Sequence, residues 1–212
     1  MIQRKPLRDE IQKEIVARIA DGRMSPGQHI NETHLASDLG ISRTPLREAM
    51  LTLASAGFLQ SDMGRGFLVP PLEAEEFSHL QAILARMAPF ALSVTPPPPP
   101  GRLMELGNLF SRARLPGGQA LPLGDVVFRF TWLLVEDCPN PLLRSDVLRL
   151  EGLARRYWRI AVEAGLESEP ILQSFAEIYE MLRVKQLVEA QAKWTDHIER
   201  FGIQAVSFLA RG

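Results

Sequence analysis

The chain has 212 residues, of which 46% are hydrophobic and 23% are charged. This composition is that of a globular protein with one large domain or two small ones, and it excludes a disordered or collagen-like chain. No stretch reaches 18 uncharged apolar residues, so no transmembrane helix and no membrane partner are expected. The single cysteine, Cys138, cannot form an internal disulfide, and residues 1–15 carry no secretory signal. We therefore expect a cytoplasmic protein.

The overall charge does not identify a partner. The chain has 24 Lys and Arg residues and 25 Asp and Glu residues, which gives a formal net charge of −1. Residues 1–70 hold nine basic and eight acidic side chains, and residues 71–212 hold 15 and 17. Because neither part is strongly basic, any binding of nucleic acid must depend on where particular charges lie.

Three short helices are predicted near the N-terminus. Apolar side chains recur every three or four positions over residues 7–20, which predicts an amphipathic helix. Asn31 is expected to cap a second helix that ends at residue 39. Ser42 is expected to cap a third helix, which Gly57 stops.

A β-hairpin is predicted after the third helix. Residues 58–61 and 67–69 are short strand-like runs on either side of the glycine-containing turn 62–66. Pro70-Pro71 then marks a domain boundary, so we expect one domain over residues 1–70 and a second over 71–212. Helix, turn, helix and hairpin in this order are the layout of a winged helix-turn-helix.

The start of the third helix carries side chains that suit DNA. Arg43 and Arg47 are four residues apart and therefore lie on one face of that helix. The planar fork of Arg matches guanine O6 and N7, or a phosphate, through two hydrogen bonds. The hydroxyl groups of Ser42 and Thr44, together with the free N–H groups at the helix start, suit a phosphate oxygen.

The turn of the hairpin offers a further basic contact. Arg65 lies between Gly64 and Gly66, and these glycines allow the backbone to come close to a duplex. Two arginines on a helix usually form a solvated surface, and a Gly-Arg-Gly sequence is often only a turn. The hypothesis of DNA binding therefore rests on the whole set in the right order.

The segment Ser42-Arg43-Thr44-Pro45-Leu46-Arg47-Glu48-Ala49-Met50, with Arg65-Gly66 after it, resembles the DNA-binding domain of GntR-type bacterial transcription regulators. The residues that this resemblance places near DNA are Arg43, Thr44, Arg47, Arg65 and Gly66. It also implies that Arg43 and Arg47 read bases. Members of the family act as dimers on short palindromic operators and mostly repress, so the implied partners are double-stranded operator DNA and a second copy of the chain.

The remainder of the chain is predicted to be all-helical. Residues 96–100 form a run of proline that predicts a stiff connector, and residues 115–122 predict a loop. The predicted helices are 72–94, 103–114, 123–135, 142–164, 170–187 and one from 189 to the end. The fold class is therefore mainly α, with an N-terminal winged helix-turn-helix and a C-terminal all-α helical bundle.

Parts of this bundle resemble the effector domain of the FadR-like subgroup, often called FCD. The matching segments are Asp125-Val-Val-Phe128-Arg129, Asn140-Pro141-Leu142-Leu143, Phe175-Ala-Glu-Ile178 and Trp194-Thr-Asp-His197-Ile198. Many members of this subgroup bind a divalent metal through one Asp and three His, with an organic acid effector beside it. The corresponding positions here, and thus the candidate effector-binding residues, are Asp125, Arg129, Phe175 and His197.

We predict that these four positions hold no metal and that the protein has no cofactor. Arg stays protonated and Phe has no lone pair, so only Asp125 and His197 could act as ligands. Asp125 and Arg129 are four residues apart and are expected to pair across one helical turn. Two interpretations remain open: this pair neutralises a vestigial cavity, or Arg129 receives the carboxylate or phosphate of a small anionic effector.

Together, these features predict a DNA-binding transcriptional regulator, a repressor that acts as a homodimer on a palindromic operator. An enzyme is not expected, because the sequence shows no partnered nucleophile, no glycine-rich phosphate loop and no complete metal-ligand set. The alternatives are a helical interaction protein that has lost DNA binding, or a ligand-independent regulator with a vestigial effector pocket. DNA binding that weakens steeply with salt separates a regulator from an interaction protein.

Overall fold

The computed structural model describes residues 4–116 and 119–210. The chain divides into two compact units, Met1–Leu72 and Glu73–Gly212. Helices dominate both units, and the first also contains a three-stranded antiparallel sheet. The predicted fold class, a winged helix-turn-helix followed by an all-α bundle, is confirmed. None of the helices in the described residues combines the length and the hydrophobicity of a membrane-spanning segment.

The first unit contains the predicted helices close to their predicted bounds. Its elements are α1 (Arg4–Ala20), β1 (His29–Ile30), α2 (Glu32–Asp38), α3 (Arg43–Ser55), β2 (Gln60–Asp62) and β3 (Gly66–Leu68). Asn31 caps α2 as predicted, because its side-chain oxygen accepts hydrogen bonds from the backbone N–H groups of Thr33 and His34. Ser42 occupies the cap position of α3, but its side chain makes no capping hydrogen bond to a described residue.

The sheet has the strand order β1-β3-β2 and differs from the prediction in two ways. The first hairpin strand begins at Gln60 rather than residue 58, because the chain forms a turn at the end of α3 before it pairs with β3. β1 was not predicted, since a two-residue strand is too short to show alternation. It pairs His29 with Leu68 and Ile30 with Phe67, which ties the loop before α2 to the hairpin.

The core of the first unit fixes the orientation of α3. The buried side chains of this helix are Leu46, Ala49, Met50 and Leu53. They pack in one cluster with Ile15 of α1 and Phe67 of β3. This is the apolar face that the helical spacing predicts, and its burial leaves the opposite face of α3 in solvent.

The second unit is a bundle of six helices among the described residues. They are α4 (Ala74–Val94), α5 (Pro100–Ala113), α6 (Leu123–Val135), α7 (Pro141–Glu163), α8 (Glu169–Arg183) and α9 (Leu187–Leu209). The predicted loop 115–122 includes residues 117–118, which lie outside the described residues. α8 ends four residues earlier than predicted because Lys185 adopts a left-handed conformation, with φ of 65°. The usual signal for such an end is glycine, and none is present there.

α6 lies at the centre of this bundle, as its nearly uniform apolar composition predicts. It packs against α4, α5 and α7, while α4 and α8 pack against α9. Phe130 of α6 carries much of the core, because its ring contacts Phe175 of α8 at 4.2 Å and Trp194 of α9 at 5.9 Å between centroids. An aromatic cluster therefore joins three helices.

The close packing of α6 on α7 gives a first prediction. A Cβ atom on Gly124 would lie 2.4 Å from the backbone oxygen of Arg155, whereas a Cβ on Gly101 would meet nothing within 4 Å. Both glycines are the second residue of their helices, so Gly101→Ala is a matched control. We expect Gly124→Ala to lower the free energy of unfolding of this unit by about 1–3 kcal/mol, the usual cost of overpacking. Gly101→Ala should leave it unchanged or slightly raised.

Tryptophan fluorescence during urea unfolding measures this effect selectively. All three tryptophans, Trp132, Trp158 and Trp194, belong to the second unit, so their signal reports that unit alone. Equal midpoints for the two variants would show that α6 and α7 do not approach each other this closely.

Candidate nucleic-acid interface and effector positions

Arg43 and Arg47 lie on the exposed face of α3. Their side chains are 65% and 56% exposed, respectively. Burial of the opposite, apolar face fixes this orientation. The two arginines are thus presented to solvent by a rigid helix, as the four-residue spacing predicts.

The hairpin places a third arginine at the same groove. Arg65 is exposed at the tip, where its backbone N–H donates to the Asp62 carbonyl at 3.0 Å. Gly66, with φ of +88°, allows the chain to turn back into β3. Arg43, Arg47, Arg65 and Gly66 line one groove of about 440 Å³. Ser42 and Thr44 are exposed at the start of α3 but do not line this groove.

Two groove residues that contact Arg47, Glu32 and Phe67, were not predicted as site residues from the sequence. Glu32 lies at the start of α2, and its carboxylate Oε1 accepts a hydrogen bond from Arg47 Nη1 at 2.7 Å. The guanidinium carbon of Arg47 also lies 5.8 Å from the centre of the Phe67 ring. The 15-residue separation of Glu32 from Arg47 gives no local pattern. Its position after the Asn31 cap indicated only a favourable charge for the helix N-terminus.

The N-terminal unit matches a known family. Residues 7–69 match the family model described as "Bacterial regulatory proteins, gntR family". The N-terminal unit is thus similar to the helix-turn-helix domain of this family. The match covers α1 from residue 7 onward, α2, α3, the sheet and all the side chains that line the groove.

Relatives extend the likeness to different extents. The uncharacterized HTH-type transcriptional regulator YdhC of Bacillus subtilis (strain 168) is 42% identical over 65 residues, which are 31% of this chain and only 29% of YdhC. The Nta operon transcriptional regulator of Aminobacter aminovorans is 27% identical over 182 residues, which are 85% of this chain and 74% of that protein. The solved structure of E. coli McbR/YncC has a TM-score of 0.81 at 20% identity and covers 97% of this chain and 98% of its own. This last likeness concerns the fold.

The predicted pair between Asp125 and Arg129 in the C-terminal unit is wrong. Asp125 Oδ1 instead accepts a hydrogen bond from Arg155 Nε of α7 at 2.5 Å. Arg129 is exposed, and its guanidinium carbon lies 6.0 Å from the centre of the Trp132 ring. The helix α6 buries its apolar face against neighbouring helices and leaves Arg129 outside, so its charge needs no buried partner.

Phe175 and His197 are brought together in the core. Their ring centroids are 4.0 Å apart, and Phe201 lies 5.0 Å from His197 on α9. Burial lowers the pKa of His197 to about 3, with smaller contributions from nearby Lys193 and Arg200. His197 is therefore neutral at pH 7, and its Nδ1 makes no hydrogen bond to the described residues.

These four positions do not fit the metal that the FadR-like subgroup holds. The Asp125 carboxylate is paired with the guanidinium group of Arg155, and Arg129 is exposed to solvent. Phe175 has no lone pair with which to bind a metal ion. Among the described residues, no group of three or more His, Cys, Asp or Glu side chains is placed to hold a metal ion.

A buried acid that the sequence did not reveal lies between α6 and α7. Glu151 is 3% exposed, and its Oε1 accepts a hydrogen bond from Thr131 Oγ1 at 3.1 Å. Its Oε2 has no hydrogen-bond partner in the described part of the chain. Desolvation by burial raises the pKa of Glu151 to about 7, although the hydrogen bond from Thr131 opposes this shift.

The buried acid gives a second prediction. Because the folded pKa of Glu151 lies above its unfolded value, the folded state is penalised once the pH exceeds about 4.5, and the penalty is complete above about 7. Glu151→Gln removes this ionisation. At pH 8 its free energy of unfolding should exceed that of the wild type by about 3 kcal/mol, and the difference should vanish near pH 4.5.

Urea unfolding followed by tryptophan fluorescence at both pH values measures this difference. Glu163→Gln on the same helix is the control, because the Glu163 carboxylate is exposed and paired with Arg159. A difference that is the same at pH 4.5 and pH 8 would contradict the titration and leave only a packing effect.

Proposed function

We propose that this protein is a DNA-binding transcriptional regulator of the GntR type that represses as a homodimer on a palindromic operator. The observation that carries the proposal is the convergence of Arg43, Arg47, Arg65 and Gly66 on one exposed groove of a helix-turn-helix domain. The names of the relatives, which are those of regulators rather than enzymes, support a non-enzymatic role.

The groove suits a DNA duplex in a defined way. The start of α3 enters the major groove, where the forks of Arg43 and Arg47 meet base edges such as guanine O6 and N7. The hydroxyl groups of Ser42 and Thr44, with the N–H groups at the start of α3, contact phosphate oxygens. The hairpin tip carries Arg65 along the neighbouring groove, and Gly66 allows close approach of its backbone.

The dimer and the palindrome are implied by the resemblance to GntR-type regulators, and the small size of this reading surface supports them. One recognition helix contacts only a few base pairs, so a specific operator needs two helices related by a two-fold axis. A repressor then acts by occupying the operator. We thus assign DNA contact to the residues that the resemblance places near DNA, which are Arg43, Thr44, Arg47, Arg65 and Gly66. We assign dimerisation to the C-terminal bundle.

We further propose that the bundle is a FadR-like effector domain whose four effector positions are vestigial. The Asp125 carboxylate is paired with Arg155, and His197 is stacked on Phe175, which cannot serve as a second metal ligand beside it. Arg129 is exposed and therefore offers no enclosed site for an anion. These contacts favour a ligand-independent regulator over one switched by a small organic acid at these positions.

DNA binding provides the third prediction. Selection of bound duplexes from a random-sequence library should enrich a palindrome, whose affinity must fall steeply with salt because arginines displace counterions. Arg43→Ala and Arg47→Ala should each weaken binding to that duplex by about tenfold or more, and Arg65→Ala by several-fold. Fluorescence anisotropy at fixed salt measures these changes.

The control is Arg23→Ala, which removes the same charge from the same unit. Arg23 is held by Asp21 and Glu14 and does not line the groove. Enrichment of no sequence, or equal losses for Arg23→Ala and Arg47→Ala, would overturn the proposed function.

A fourth prediction concerns the C-terminal unit. Small carboxylates, sugar phosphates, Zn²⁺, Ni²⁺ and Mn²⁺ should each leave its unfolding temperature unchanged, as followed by tryptophan fluorescence. Arg129→Ala should fold normally, since Arg129 is exposed. A saturable rise in the unfolding temperature that Arg129→Ala abolishes would instead establish an anionic effector at this position.

A further inference from the structure

The carboxylate of Glu32 lies next to Arg43 and Arg47 of α3, the proposed recognition helix. The Glu32 side chain is only 10% exposed, although it lines the groove that faces solvent. Acidic groups oppose DNA phosphates, so an acid at the centre of a DNA-binding groove needs a physical reason.

Glu32 contacts both arginines and lies close to the hairpin. Its Oε1 accepts the 2.7 Å hydrogen bond from Arg47, and a Cβ on Gly66 would lie 3.4 Å from the same oxygen. Its Oε2 lies 3.9 Å from Arg43 Nη2 and makes no hydrogen bond within the described residues. Arg47 thus has two partners, this carboxylate and the ring of Phe67.

We propose that Glu32 is a positioning residue that gives the protein its sequence selectivity. Glu32 holds the guanidinium group of Arg47 in one orientation, in which this group meets a base edge. The negative charge of Glu32 also reduces the attraction of the groove for phosphate. This inference rests on the proposed function, because selectivity has meaning only for a protein that binds a preferred duplex.

The two parts of this role act on different measurable quantities. Attraction to phosphate is independent of sequence and weakens with salt, so loss of the Glu32 charge strengthens binding to every duplex and makes the salt dependence steeper. Discrimination between bases depends on a fixed bidentate geometry, so loss of the Arg47 anchor reduces the ratio of specific to non-specific affinity. A residue with a merely structural role would lower both affinities together.

The test compares Glu32→Gln with Glu48→Gln. Glu48 is exposed on α3 next to Arg47. Within the described residues, the ion-pair partner of Arg43 and Arg47 is Glu32 and not Glu48. Glu48→Gln therefore removes the same charge as Glu32→Gln without removing a partner of either arginine. The probes are the duplex enriched by the wild type and a shuffled duplex of the same composition, each measured by anisotropy over a range of NaCl concentrations.

We expect Glu32→Gln to reduce the affinity ratio between the two duplexes by about fivefold to tenfold, the lower end of the discrimination of a good bidentate pair, because Arg47 itself is retained. Its salt slope on the shuffled duplex should become steeper by about one, because one further arginine is released to phosphate. Glu48→Gln should strengthen binding to both duplexes alike and leave the ratio unchanged. Glu32→Asp keeps the charge but shortens the side chain, so it should lower the ratio without strengthening binding to the shuffled duplex.

A double-mutant cycle assigns the effect to Arg47. In an Arg47→Ala background, Glu32→Gln should no longer change the affinity ratio. An unchanged ratio in Glu32→Gln, or the same reduction in the Arg47→Ala background, overturns the inference and leaves the proposed function intact. If the wild type enriches no sequence at all, the proposed function itself is wrong and the inference fails with it.

Discussion

Burial of the apolar face of α3 is the constraint on which the proposed DNA-binding groove depends. Leu46 and Met50 are completely buried, and one helical turn separates them. The same periodicity that places them inside places Arg43 and Arg47 outside, on a helix whose rotation the core fixes. A side chain that reads bases must be held within a fraction of an ångström, and a packed helix achieves this better than a loop. In the proposed function, the hydrophobic core therefore determines the orientation of the side chains that read bases.

The C-terminal unit holds a histidine in an aromatic core rather than in a polar site. A buried cation or metal is costly unless several groups compensate its charge, whereas an aromatic stack needs no such compensation. Phe175 packs on His197 and on Phe130, so the imidazole is a member of the aromatic core. Its low pKa has the same origin, because desolvation disfavours the imidazolium ion. Asp125 remains polar, but Arg155 supplies the opposite charge directly from α7.

Features encoded by neighbouring residues could be predicted from the sequence, whereas features that join distant residues could not. The helix faces, the Asn31 cap and the outward direction of Arg43 follow from spacings of three or four residues. Local spacing also favoured a pair between Asp125 and Arg129, yet the partner is Arg155, 30 residues away, because packing of α6 on α7 brings it closer. The contact of Glu32 with the recognition helix and the pairing of β1 with β3 are likewise tertiary. Such contacts require the fold before they can be found.

Two buried titratable groups in the bundle affect stability in opposite directions. His197 has a folded pKa of about 3, below its unfolded value, so its protonation destabilises the folded state as the pH falls below about 6.5. Glu151 has a folded pKa of about 7, above its unfolded value, so its ionisation destabilises the folded state as the pH rises above about 4.5. Between about pH 4.5 and 6.5, unfolding therefore adds a proton to His197 and removes one from Glu151. The two slopes therefore oppose each other, and the combined contribution of the two groups to the pH dependence of stability is small in this range.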